Sequence, residues 1–137
     1  MNVKEKLCKI IRIIAIASWV IFAASITGAQ LTDEYEDDDV FTQAKVIVIN
    51  AEAPQRHNFH DTGDEDWIKF YGLAGQNYVI EASNLEANCD IVIELYDTNG
   101  ASLLKEQDKE GDERADELLD WNCSEEGAYC VKYRHYG

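Results

Sequence analysis

Two groups of acidic side chains are the residues whose types and spacing suggest chemistry. The segment from Asp33 to Asp39 carries six acids in seven positions, and a second group lies between Asp61 and Asp66. Calcium takes roughly six to eight oxygen ligands and tolerates irregular geometry, whereas crowded acids without a cation repel one another. Acid runs are usually solvated and bind nothing, and neither group has the EF-hand spacing. The pattern alone therefore leaves both interpretations open.

The pair His57 and His60 is a second candidate for metal binding. In a β-strand, residues three apart point to opposite faces, so the two rings would not share one ion and a zinc site is disfavoured. The chain has no nucleophile elbow, zinc-protease helix motif or phosphate-binding glycine loop. Carboxylate pairs of the glycosidase type are present, but no single pair stands out. We therefore expect no enzymatic activity, and a small acidic hydrolase is the alternative that no motif supports.

The composition of the chain limits the classes of partner. It has 137 residues, 27 acids and 12 bases, with a net charge of −15. Nucleic acids and anionic lipid surfaces both select basic proteins, so neither is an expected partner. Hydrophobic residues make up 46% of the chain, which is enough for a folded core. The length corresponds to one domain.

The N-terminus has the pattern of a secretory signal peptide. Basic residues up to Arg12 precede an uncharged stretch from Ile13 to Leu31, which contains the small-residue segment Ser25–Ala29. This pattern predicts a signal peptide over 1–29, cleaved after Ala29, and hence a secreted, periplasmic or cell-surface protein without membrane contact after cleavage. The alternative is an uncleaved anchor, since the stretch is just long enough to span a bilayer. Cleavage would leave 8 bases and 26 acids, a net charge of −18, which external cations would screen.

The rest of the chain is predicted to form short β-strands separated by turn signals. This spacing is typical of an antiparallel sandwich or barrel. The predicted organisation is a signal peptide at 1–29, an acidic N-terminal segment at 30–43 and a β-sandwich domain at 44–137. The predicted strands are 45–49, 56–60, 67–70, 78–82, 91–96, 102–104, 118–121 and 129–133.

Cys123 and Cys130 flank the turn between the last two predicted strands. If these strands form a hairpin with a four-residue loop, the two cysteines lie opposite each other with Cβ atoms about 4.5–5.5 Å apart. A small adjustment then permits a disulfide, which an oxidising compartment favours. We predict this Cys123–Cys130 disulfide, with two buried free thiols as the alternative. Cys89 is then expected to be a small buried hydrophobic residue.

Several motifs occur along the chain in a familiar order: Tyr35–Asp38, Phe41–Ala44, Gly63–Phe70 (GDEDWIKF), Ala74–Ile80, Asp90–Asp97 (DIVIELYD) and Gly127–Tyr133. In this order they resemble the bacterial pre-peptidase C-terminal domain family, which includes the collagen-binding domains of clostridial collagenases. The resemblance covers nearly all of the chain after residue 29. It implies an all-β, antiparallel, jelly-roll-like β-sandwich attached to secreted peptidases. Family members carry one more strand, so it also implies that this chain lacks its last strand or completes the sandwich differently.

The same resemblance implies bound calcium. Calcium-binding members of the family take ligands from an acidic Glu-x-Glu-x-(Asn/Asp)-Asp segment and from acids before the Trp-x-x-Phe strand. Because two acidic segments would converge on one site, the resemblance favours calcium over a solvated acidic surface. The implied metal ligands are Glu34, Glu36, Asp38, Asp39, Asp64 and Asp66.

The predicted function is therefore a secreted, non-catalytic, calcium-binding module whose partner is an extracellular protein or polysaccharide. Tyr133 and Tyr136 are the candidate ligand face, because strand tyrosines have this role in collagen-binding relatives. The alternative for both tyrosines is an ordinary half-buried place in the sheet. The alternative function is a folding or secretion accessory segment of a larger exported peptidase, of which this chain would be a fragment.

Overall fold

The computed structural model of the protein describes residues 6–15, 33–59, 63–85, 89–109 and 116–136. These residues form an all-β fold with one short 3-10 turn at Phe41–Gln43. The strands are β1 Lys6–Ala15, β2 Lys45–Val46, β3 Gln55–Phe59, β4 Glu65–Gly72, β5 Asn77–Ser83, β6 Ile91–Tyr96, β7 Leu103–Gln107, β8 Glu117–Asn122 and β9 Gly127–His135.

The strands are arranged in two sheets. The first has the order β3-β1-β5-β8, and all of its pairs are antiparallel. The second has the order β2-β4-β9-β6-β7, and only its edge pair β2–β4 is parallel. The longest ladder joins β4 to β9, from Glu65 opposite Arg134 to Gly72 opposite Gly127. Consecutive strands are therefore often in different sheets.

Side chains from both sheets meet in one hydrophobic core. Ile80 and Leu119 of the first sheet are fully buried together with Ile68, Ile93 and Val131 of the second. Along each strand every second residue points inward, so the inner faces of the two sheets supply the core. The expected all-β, two-sheet arrangement is confirmed as a β-sandwich-like fold. The jelly-roll connection stays a prediction.

The predicted strands agree with the structure best where both faces are buried. Ile91–Tyr96 has the predicted bounds. The predicted strand 45–49 is reduced to Lys45–Val46. Within the predicted strand only Ile47 is buried, whereas its neighbours Val46 and Val48 are 64% and 67% exposed. This segment lies at the edge of its sheet, where one face contacts the core and the other faces solvent.

Part of the predicted signal peptide lies inside the first sheet. Strand β1 is Lys6–Ala15 and runs between β3 and β5. Ile11 and Ile13 are buried in the core, and Arg12 between them is exposed. Residues 1–5 and 16–29 lie outside the described residues, so the signal peptide is not confirmed and remains a prediction. Among the described residues, no helix has the length and apolarity that a membrane crossing requires.

The predicted Cys123–Cys130 disulfide is wrong, and both thiols are free and buried. The reason is that β8 pairs with β5 in the first sheet, whereas β9 pairs with β4 and β6 in the second, so the two strands form no hairpin. The Cys123 thiol donates to the Glu125 carbonyl at 2.9 Å, and Cys130 faces away from the main core, beside Trp67. Cys89 is disulfide-bonded, contrary to the expectation for it.

The predicted ligand face at the end of the chain is also corrected in part. Tyr133 is fully buried in the core, because it follows the inward alternation of β9 with Val131. Its hydroxyl is therefore not available to an external partner. Tyr136, which follows the strand, is 58% exposed. Only the second of the two predicted tyrosines lies on the surface.

Candidate metal-binding site

The candidate site lies at one end of the sandwich, where β3 and β4 approach each other. Asp66 is the second residue of β4, has the same inward direction as Ile68 and is fully buried. His57 is likewise fully buried on β3, two residues before Phe59. Period-two alternation thus places one imidazole and one carboxylate between the sheets, where a hydrophobic residue would be expected.

The acidic segment 33–39 covers this end of the sandwich. The Trp67 backbone N–H donates to the Asp38 carbonyl at 3.1 Å, which attaches the segment to β4. The Asn58 backbone N–H donates to the Asp33 carboxylate at 2.8 Å, which attaches it to β3. Tyr35 stacks on the His57 ring with a centroid separation of 4.6 Å. The segment is therefore held against both sheets.

A first group of carboxylates contains Glu36, Asp39 and Asp64. Their carboxylate oxygens lie within 4.8 Å of one another. Since Ca²⁺ binds oxygen at about 2.3–2.6 Å, two oxygens on one ion are at most roughly 5 Å apart, and this group meets that limit. Asp64 is buried and Asp39 is exposed. The group can thus hold an ion with protein oxygens on one side and water on the other.

A second group contains Asp33, His57 and Asp66, with ligand atoms within the same 4.8 Å limit. The Nδ1 atom of His57 lies 3.2 Å from Oδ1 of Asp66 and 3.9 Å from Oδ2 of Asp33. The other ring nitrogen, Nε2, lies 3.2 Å from the side-chain oxygen of Gln55. This group is far more buried than the first and includes a nitrogen donor.

Asp38 lies beside the second group and is 1% exposed. Its Oδ2 is 3.8 Å from Nδ1 of His57, and neither carboxylate oxygen accepts a hydrogen bond from any residue that the structure describes. Burial, the largest cause, and the negative charges of Asp66, Asp33 and Glu36 together raise the pKa of Asp38 from 3.8 to about 8. A negative charge is therefore unfavourable here unless a cation accompanies it.

The outer face of the second sheet carries a different polar cluster. Glu94 accepts from Lys132 at 2.8 Å, from Arg134 at 2.7 Å and from the Tyr96 hydroxyl at 2.6 Å. Burial alone would raise the pKa of Glu94, but these three hydrogen bonds lower it below the ordinary value. Two bases balance the carboxylate, so this cluster is a structural ion-pair network rather than a cation site.

The structure brings most of the predicted metal ligands to one end of the sandwich. Glu34 is the exception, because it is exposed and belongs to neither group. His57 was paired only with His60, which lies outside the described residues, and Asp33 belongs to the acidic segment but not to the predicted ligands. The position of His57 two residues before Phe59 could have predicted its burial, because alternate residues of a strand share one face. The predicted ligands near the two groups are Glu36, Asp38, Asp39, Asp64 and Asp66.

Comparisons with known proteins identify no relative. The chain matches no family model, no curated protein and no solved structure. Function is therefore inferred from the geometry of the two groups together with the sequence patterns.

Proposed function

We propose that the protein is an exported, non-catalytic β-sandwich module that binds Ca²⁺ through Glu36, Asp39 and Asp64. The observation that carries this proposal is the convergence of these side chains. Two come from the acidic segment and the third from the turn before β4, yet their oxygens lie within 4.8 Å of one another. Carboxylates from distant parts of the chain repel one another at this separation unless a cation lies among them.

Calcium suits this group better than other common cations. All of its donors are carboxylate oxygens, which hard cations prefer. Mg²⁺ demands near-octahedral geometry and keeps most of its water, whereas Ca²⁺ accepts irregular sets of carboxylates and water. The bound ion would attach the segment 33–39 to β4 and stabilise the folded state by mass action.

The proposal extends to family, partner and location. The motif order supports a divergent member of the pre-peptidase C-terminal domain family with jelly-roll connections. Its partner would be an extracellular protein or polysaccharide. Cleavage after Ala29 would remove β1 from between β3 and β5. The mass of the exported protein decides whether the working form keeps Lys6–Ala15 or begins at Gln30.

Thermal melting with and without Ca²⁺ tests the calcium proposal. We expect the midpoint of the metal-free protein to rise when Ca²⁺ is added, by an amount equivalent to about 2.7 kcal/mol at a hundred times Kd. Glu36→Ala and Asp39→Ala should each reduce this rise. Glu34→Ala is the matched control, because Glu34 is an exposed acid of the same segment outside both groups.

Two further conditions separate binding from charge screening. NaCl at matched ionic strength should raise the midpoint much less than Ca²⁺ does. Equal midpoints in chelator and in millimolar Ca²⁺ would contradict the proposal. An equal loss of the calcium effect in Glu34→Ala and Glu36→Ala would contradict the ligand assignment.

A further inference from the structure

We propose that the second group is a separate site for a first-row divalent transition metal of the Zn²⁺ type, bound by Nδ1 of His57 and the carboxylates of Asp33, Asp38 and Asp66. This site shares no proposed ligand with the calcium group. It does not depend on calcium binding.

The spacing of the donor atoms fits one small cation. Zn²⁺ binds nitrogen and oxygen at about 2.0–2.2 Å, so neighbouring ligands of a tetrahedral site are roughly 3.4 Å apart. The distances from Nδ1 of His57 are 3.2 Å to Asp66, 3.8 Å to Asp38 and 3.9 Å to Asp33. These separations are near that value. Small side-chain movements would centre an ion among His57, Asp33 and Asp66, whose ligand atoms lie within 4.8 Å of one another, and Asp38 lies close enough to His57 to join them.

The imidazole is held in the orientation that a metal ligand needs. Metal-binding histidines usually give their second ring N–H to an oxygen acceptor, which fixes the tautomer. Nε2 of His57 lies 3.2 Å from Oε1 of Gln55, so an N–H there donates to Gln55 and leaves Nδ1 with a lone pair toward the carboxylates. The stacked ring of Tyr35 restricts rotation. The Asp33 carboxylate is held by the backbone N–H groups of Tyr35 and Asn58.

Asp38 is the observation that distinguishes this site from an ordinary acidic cluster. Its carboxylate is almost completely buried, and neither oxygen has a hydrogen-bond donor among the described residues. Buried carboxylates are normally hydrogen-bonded or coordinate a metal. One of its oxygens lies 3.8 Å from Nδ1 of His57, so this carboxylate adjoins the donor group.

The donor set favours a transition metal over calcium. Imidazole nitrogen suits Zn²⁺ and its neighbours in the first row, whereas Ca²⁺ prefers oxygen alone. His57 and Asp66 are fully buried, which leaves little room for the water that Ca²⁺ would need to complete its coordination. An Nδ1–H of His57 that donates to Asp66 is the competing explanation, and titration with metal separates the two.

The test is calorimetric titration with Zn²⁺ of the full chain, first stripped of metal with chelator and then held in saturating Ca²⁺. We expect one Zn²⁺ per chain. His57→Gln should weaken Zn²⁺ binding by more than about 100-fold, and Gln55→Ala by roughly 10–100-fold, the loss typical of a supporting partner. His135→Gln is the control and should change Zn²⁺ affinity less than about twofold, because His135 belongs to neither group of candidate ligands.

Glu36→Gln separates this proposal from the calcium proposal. It should weaken Ca²⁺ binding and leave Zn²⁺ binding intact. Absence of Zn²⁺ binding, or unchanged affinity in His57→Gln, would overturn the site. Should His57→Gln fail to fold, NMR of the unaltered protein with Co²⁺ provides the test. One paramagnetically shifted imidazole N–H is expected, and its absence would overturn the assignment of His57.

Discussion

Replacement of Asp38 by asparagine gives the sharpest prediction about the metal-free protein. The buried carboxylate lies among three other acids and has no hydrogen-bond donor among the described residues. Asparagine has nearly the same shape and no charge. We therefore expect Asp38→Asn to stabilise the metal-free protein, although it changes a buried residue.

The magnitude follows from the pKa of this carboxyl, which burial and the neighbouring acids together raise from 3.8 to about 8. Because the pKa is raised in the folded state, the Asp38 carboxyl does not reduce the free energy of unfolding below pH 3.8. The reduction grows as the pH rises toward 8. At pH 7 it amounts to at most ~4 kcal/mol. The buried amide keeps a desolvation penalty of ~1–3 kcal/mol. The net gain is ~2 kcal/mol, or roughly 10 °C in the melting midpoint.

The assay is thermal melting of wild type and Asp38→Asn in chelator, at pH 7 and at pH 4. Asp37→Asn is the matched control, because Asp37 is the exposed neighbour in the same segment, and it should change the midpoint little. The gain in Asp38→Asn should disappear at pH 4. It should also shrink when Ca²⁺ and Zn²⁺ are present, since cations offset the charge in wild type. A lower midpoint for Asp38→Asn in chelator at pH 7 would refute the reasoning.

Three further predictions concern the rest of the fold. Glu94→Gln should lower the free energy of unfolding at pH 7 by about 2–3 kcal/mol, less than the loss of a fully buried ion pair because the partners of Glu94 are partly exposed. Because the pKa of Glu94 is lowered in the folded state, this difference from wild type, measured by urea unfolding, should be complete above the ordinary carboxyl pKa. It should vanish as the pH falls through the lowered pKa. Ile13→Ala should lower the free energy of unfolding by ~2–5 kcal/mol, because Ile13 is buried in the core. Arg12→Ala, which changes the exposed neighbour, is the control. Equal stability of Ile13→Ala and wild type would show that the fold does not need β1. Thiol titration of the denatured, unreduced chain should find the free thiols of Cys123 and Cys130, and their absence would contradict the corrected pairing.

The strands after β1 were largely predictable, because each carries its own signal. Tyr78–Ala82 alternates between core and surface, and Ile91–Tyr96 is apolar apart from Glu94. The partner of each strand was not predictable in the same way. Leu118–Trp121 and Tyr129–Tyr133 look like a hairpin, yet they belong to different sheets. The alternation of apolar and polar residues shows which face of a strand is buried, but it does not show which strand is its neighbour in the sheet.

β1 illustrates a second limit. A strand in the middle of a sheet and the apolar part of a signal peptide are both short runs of aliphatic residues. For the residues Ile10–Ala15, composition therefore cannot distinguish a central strand from a signal peptide. In the structure, Ile11 and Ile13 are buried while Arg12 between them is exposed, and this alternation is the feature that a leader does not require.

The site was predictable in its broad outline. The two acidic segments do approach each other, as the motif resemblance implied, and Asp64 and Asp66 lie next to Asp39 and Asp38 respectively. His57 was missed because its neighbours in space are distant in the chain. A search among adjacent histidines finds only His60, whereas the carboxylates beside Nδ1 come from two other segments.

The most direct test of the central claim is the anomalous diffraction of a crystal grown with Ca²⁺. A calcium peak is expected at about 2.3–2.6 Å from oxygens of Glu36, Asp39 and Asp64. No peak at this end of the sandwich, in crystals that diffract well enough to show ordered water there, would contradict it.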